Sequence, residues 1–200
     1  MQAPIPLNDA ARVAYLRQFR LDMTLPFDQI QGLCEDASRV AGAPIALVSL
    51  VDETEQRFLA SVGVGDIKET PRDIAFCAHA IMDSTPFEVV DATLDARFAA
   101  NPLVTGGPKV QSYYGVVLEP APEMRIGTLC LLDTKPRSYP EEVRTELAQI
   151  GQAITALLIG YRKNLEMADY AQEISKRNTE LAALTLSLPR ATDPAVAGEK

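Results

Sequence analysis

Cys77 and His79, separated by Ala78 in the stretch PRDIAFCAHAI, are the residues whose types and spacing most directly suggest chemistry. His79 is the sole histidine and Cys77 is one of three cysteines. As metal ligands they fall short: structural zinc takes four ligands and catalytic zinc three plus water, and no second pair stands at ligand spacing. As a nucleophile and base they are poorly arranged, because residues two apart on a helix point in different directions. A helix starting over residues 73–76, with Asp73 as its cap, would acidify the Cys77 thiol and make it a candidate redox sensor. The plainer alternative is an inert thiol in an apolar setting.

The middle of the chain gathers Asp91, Asp95 and Arg97, followed by Phe98 and Asn101. This cluster can present an arginine and carboxylates to a small polar ligand. It can equally pin the loop over 93–110, with Arg97 paired to Asp91 or Asp95 and Asn101 beside them, since long loops in compact domains need such a reason. The adjacent Tyr113 and Tyr114 fall on a strand, which predicts one ring inward and one outward. The inward ring would line a pocket or bury itself with a bonded hydroxyl.

The elements that must position these residues follow from periodicity. Val13, Leu16, Phe19 and Leu21 predict a helix over 8–21, with Asn8 or Asp9 as N-cap. After Pro26, the steps Phe27, Ile30, Leu33, Cys34, Ala37 and Val40 predict a second helix stopped by Gly42, with Cys34 as a small buried hydrophobe. Strands are predicted over 44–52, 57–64, 87–92, 110–120 and 125–134, with a polar connector at 66–73 and a short helix around Cys77. Asn101-Pro102 and Gly106-Gly107-Pro108 read as breakers within the loop. The order predicts an α+β domain with an antiparallel sheet, helices on one face and the long loop over the other. No glycine-rich nucleotide fingerprint is present.

From Glu141 to Leu188 the sequence is helical in pattern, longer than one domain can cover. Leu147, Ile150, Ile154, Leu157 and Tyr161 step by three and four, and after a phase break near Gly160 so do Ile174, Asn178 and Leu181. A self-paired coiled coil is the economical partner, with Asn178 at the seam to set register. The organisation expected is an N-terminal arm (1–7), a domain (8–160) including dimer helices, a coiled-coil extension (161–188) and a disordered tail (189–200).

Composition bounds the function classes. A net charge of −8 and a pI near 4.7 argue against nucleic acid or an anionic membrane as partner. No apolar run is long enough to span a bilayer, no secretory leader opens the chain, and three scattered cysteines suit a reducing cytoplasm.

Taken together, FDQIQGLCEDASRVAGAPIALVSLVDE, ETPRDIAFCAHAI, VVDATLDARFAANPLVTG, YYGVVLEP and RIGTLCLLDTKPRSYPEEVRTELAQIG resemble the GAF domains of bacterial signalling proteins, from about residue 8 to 160. Such domains often stand N-terminal to sensor histidine kinases and diguanylate cyclases. The resemblance implies a GAF-like central antiparallel sheet of five or six strands flanked by helices, with dimerising helices and a small-molecule pocket under the loop. Phe76, Cys77, His79, Asp91, Arg97, Tyr113 and Tyr114 are its candidate lining. Departures are informative: the cyclic-nucleotide GAF pattern is absent, and Ala78 separates Cys77 from His79 where bilin-binding members have them adjacent. Bilin, haem, metal and cyclic nucleotide are therefore not expected, and any cofactor is unknown. The reading is a cytoplasmic, non-enzymatic sensory module. It would sense an unidentified small molecule or redox state and relay it through a homodimer to a partner such as a histidine kinase or cyclase. The alternatives are a pocketless dimerisation and docking scaffold, or a thiol-based reductase.

Overall fold

A computed structural model describes residues 3–20 and 28–187. Along the chain they form α1 (Asp9–Arg17), α2 (Asp28–Ala41), β1 (Ile45–Val51), β2 (Glu55–Val62), β3 (Glu69–Pro71), a 3-10 turn (Arg72–Ile74) and α3 (Phe76–Ala80). There follow β4 (Phe87–Val89), α4 (Pro102–Thr105), β5 (Ser112–Leu118), β6 (Gly127–Asp133) and α5 (Glu141–Ser187). The strands make one antiparallel sheet of order β3-β2-β1-β6-β5-β4, within the expected five or six. The three-residue β3 lies in the stretch read as a connector. Its mostly exposed, polar residues carry no hydrophobic alternation to mark it.

Every residue of β1 and β6 is buried, because both sheet faces are covered. On one face Ala46, Val48, Leu50, Leu129 and Leu131 pack with α2, through Ile30, Cys34 and Ala37, and with α5, through Leu147, Ile154 and Leu158. On the other, Ile45, Leu47, Val51, Cys130 and Leu132 pack under α3 and the segment carrying Phe98, Val104 and Val110. Ala3, which precedes the expected start of the domain, is buried in this second core. A bulge between Val48 and Ser49 skips Leu59 in the pairing with β2. It lets Phe58 face one core and Ala60 the other.

Local signals place the helices. Gly42 adopts φ +57° after α2, and Ala43 N–H closes onto the Ser38 carbonyl at 3.1 Å, a glycine stop of the expected kind. Asn8 occupies the N-cap of α1 without capping by its side chain, which donates to the Glu123 carbonyl. Asp9 instead receives a bidentate pair from Arg72 at 2.7 and 2.9 Å and one bond from Arg12 at 2.9 Å. Arg12, fully buried, also donates to the Val51 carbonyl, clasping α1 to the end of β1. The helix stops at Arg17, and Phe19 is buried just beyond it. Leu21 and Phe27 lie outside the described residues, as does the tail over 189–200.

Helix α5 places two of the expected seam residues in the domain itself. Leu147 and Ile154 are fully buried in its own core, and the half-buried Ile150, Leu157 and Tyr161 pack against that core. Burying a leucine of this kind contributes about 1.5–3 kcal/mol, enough to fix which face of the helix the domain claims. The chain divides into compact units at Met1–Arg162 and Lys163–Lys200. In the second, Met167, Tyr170, Ile174, Leu181 and Leu184 are exposed, and Asn178 is exposed as well. Among the described residues, no helix is long and apolar enough to cross a membrane.

Candidate functional site

Polar side chains at inward positions of apolar strands build a small site on the α3 face. Along β1, Ile45, Leu47 and Val51 point into the second core, and Ser49 takes the same side between them. Thr128 does so on β6, two residues before Cys130, and Ser49 and Thr128 are paired across the two strands. Gln56 on β2 accepts from the Ser49 hydroxyl at 3.0 Å and donates to the Thr70 hydroxyl at 2.8 Å. A polar row thus runs from half-buried Thr70 into the core. Buried polar atoms need such partners, since leaving one unpaired costs about 1–3 kcal/mol.

The row ends at Cys77. Helix α3 sets its thiol 3.7 Å from the Cys130 sulfur and 3.5 Å from the Tyr113 hydroxyl, which also lies 3.3 Å from the Thr128 hydroxyl. Tyr113 reaches this point by lying across Gly115, where an added Cβ would sit 2.8 Å from ring carbons and collide with the phenol oxygen. The helix begins at Phe76 with Ala75 at the cap position; Asp73 belongs to the preceding 3-10 turn and does not cap it, and it is exposed. Acidification of Cys77 therefore has another origin. The hydrogen bond with Cys130, helped by Thr128, Tyr113 and Ser49, outweighs burial and lowers the Cys77 thiol below its ordinary value. Burial and the neighbouring Cys77 push Cys130 well up, so the pair shares its ionisation unequally. Burial, with Cys77 beside it, raises the Tyr113 phenol too.

Above the thiols the space is filled with rings. Phe76 stacks on Phe98 at 4.1 Å and on Tyr113 at 5.3 Å. His79 points away from Cys77, meeting Phe98 edge-on at 4.7 Å with Phe87 at 6.4 Å. Burial, then the charge of Arg97, lowers the His79 pKa. The Arg97 guanidinium lies over Phe87 at 4.9 Å and Phe98 at 5.3 Å, completing a cationic, aromatic rim.

Of the expected pocket residues, the fold brings together Phe76, Cys77, His79, Arg97 and Tyr113. Tyr114 belongs elsewhere: its ring is buried in the opposite core, 5.5 Å from Tyr139 and beneath Arg144. Both tyrosines are inward, because the sheet is covered on both sides. Of the two pairings expected for the loop, one is present. Arg97 pairs with Asp95, at 2.6 and 2.9 Å, and not with Asp91, whose carboxylate accepts from Thr93 in a local turn. The long-range tie is Asn101, which donates to the Ile74 carbonyl at 2.9 Å and accepts from Leu103 N–H as the cap of α4. Asn101-Pro102, read as a breaker, is a helix start, with proline at the first position where its missing N–H costs nothing. Ser49, Gln56 and Thr128 were missed. For Ser49 and Thr128 the signal is a polar residue at an inward position of a largely apolar strand; Gln56 sits in the polar start of β2 and carries no such signal.

Comparison with known proteins follows the same lines. No family model matches the chain. A cyclic di-GMP phosphodiesterase of Pseudomonas aeruginosa is 40% identical over 134 residues, which is 67% of this chain but 23% of that protein. The GAF domain of an Acinetobacter phosphoenolpyruvate-protein phosphotransferase superposes with a TM-score of 0.56 at 15% identity, covering 77% of this chain and 95% of that one. A type II free methionine-R-sulfoxide reductase from Thermoplasma acidophilum superposes with a TM-score of 0.52 at 16% identity, over 68% and 92% of the two chains. The fold is the GAF fold. The chain spans less than a quarter of the phosphodiesterase it matches in sequence.

Proposed function

We propose that this GAF-fold chain is a regulatory module whose state is relayed through helix α5 to a signalling enzyme. One observation carries the reading. The helix begins as part of the domain core, at Leu147, Ile154 and Leu158, and the same helix continues to Ser187 with exposed Met167, Tyr170, Ile174, Leu181 and Leu184. These five fall at steps of three and four with Arg177 filling the one gap, a spacing suited to pairing with a second copy. That register replaces Asn178 at the seam by Arg177, which bonds to Glu173 on its own helix. A homodimer is the relay, and the controlled enzyme is one that makes or breaks cyclic di-GMP, consistent with the phosphodiesterase relative. The domain itself regulates and does not catalyse. Light scattering should give a dimer for the full chain, and the double substitution Ile174→Glu, Leu181→Glu should give a folded monomer. A wild-type monomer would remove the helical relay.

A pocketless scaffold is the second reading, favoured by the Phe98–Phe76–Tyr113 stack that fills the space under the loop. Native mass spectrometry of freshly purified protein separates the two. Bound mass of a small molecule supports a ligand sensor, and a bare polypeptide mass supports the scaffold.

A further inference from the structure

We propose that Cys77 and Cys130 form a two-thiol site oxidised by hydrogen peroxide to a reversible disulfide. The sulfurs stand 3.7 Å apart, although the residues are 53 positions apart in sequence. A disulfide needs about 2.05 Å, so the sulfurs must close by roughly 1.7 Å. Cys130 is held in the middle of the sheet between β1 and β5, whereas Cys77 rides on a five-residue helix. The approach is therefore a small descent of α3. Tyr113 and Thr128 bring hydroxyls beside Cys77 that favour its thiolate in an otherwise apolar core. Cys34, on the opposite face, is the built-in contrast: burial raises its thiol to about 12, and no partner sulfur adjoins it among the described residues.

The chemistry balances with the peroxide as oxidant. The Cys77 thiolate attacks one peroxide oxygen, the O–O bond breaks, and the leaving hydroxide takes a proton to become water, which leaves Cys77 as the sulfenic acid. The Cys130 sulfur then attacks the Cys77 sulfur, the S–O bond breaks, and the released hydroxide leaves as water with the Cys130 proton. Two thiols and one peroxide give one disulfide and two waters, and a dithiol reductant restores the thiols. Both thiols are buried, so the oxidant must be small. The hydrogen-bonded row Thr70–Gln56–Ser49 offers it polar partners from the sheet margin inward.

This site deepens the regulatory reading above, on which only its consequence rests. The test treats the full chain with hydrogen peroxide and maps its peptides without reduction. The expected product is a Cys77–Cys130 cross-link with the loss of two hydrogens, reversed by dithiothreitol, formed about tenfold faster than any modification of Cys34. Cys34→Ser should form the same cross-link. Cys130→Ser should leave a Cys77 sulfenic acid that dimedone captures, and the wild-type map decides the matter if that variant does not fold. A folded chain in which Cys77 and Cys130 stay unlinked, or link only in denaturant, would overturn the proposal. Light scattering before and after oxidation separates the two readings, since a cross-link with unchanged oligomeric state sustains the site and removes its part in the relay.

Discussion

The two faces of the sheet use cysteine and tyrosine for opposite ends. On the face covered by α2 and α5, Cys34 is a small apolar filler, and Tyr114 packs its ring against Tyr139 under Arg144. Arg144 in turn makes two bonds to Glu88, at 2.8 and 2.9 Å, which tie the edge strand β4 to α5. On the face covered by α3, the same residue types converge: Cys77 lies within hydrogen-bond reach of both Cys130 and Tyr113, at the end of a polar row. The difference comes from the neighbours. A buried thiol among alkyl groups only becomes harder to ionise, while a buried thiol among donors can hold charge.

The largest effect is expected where the comparison is starkest in packing. Leu147→Ala empties a fully buried site between α5 and the sheet and should cost about 2–5 kcal/mol in urea unfolding, without altering the rate at which Cys77 oxidises. A change in that rate would show that the two faces are not separable. Next is Gly115→Ala, which forces the Tyr113 ring off its path over β5. It should cost about 1–3 kcal/mol and, unlike Leu147→Ala, change the reactivity of Cys77, because the phenol leaves its sulfur.

The smallest effect is a pH dependence confined to the α3 face. Burial and Arg97 hold the His79 pKa below its unfolded value of about 6.5. Between the folded pKa and about 6.5 the unfolded chain binds the extra proton, so stability is present above that range and is lost as pH falls through it. His79→Gln should flatten this decline in urea melts between about pH 7.5 and 5. A slope unchanged by the substitution would place the titration elsewhere.

Much of this arrangement was legible in the residues. The helical steps through Ile30, Cys34 and Ala37, the stop at Gly42 and the apolar runs of β1, β5 and β6 are local signals, and each is met in the fold. The β3 strand was not legible, because Glu69, Thr70 and Pro71 are mostly exposed and carry no hydrophobic alternation. Nor was the ring stack, since Phe76, Phe98 and Tyr113 come from a helix, a loop and a strand.

By itself the sequence determined the apolar stripe of α2, its stop at Gly42 and the main strands of the sheet, because periodicity and turn chemistry act over a few neighbours. Cys77 and His79 drew attention as a pair for the same reason: they are close in the chain. Only the tertiary structure separated them, sending His79 to the aromatic rim and Cys77 to a sulfur on another strand. That choice depends on β6 lying between β1 and β5, with α3 laid across its face. Such strand order is a long-range pairing settled by two packed cores together.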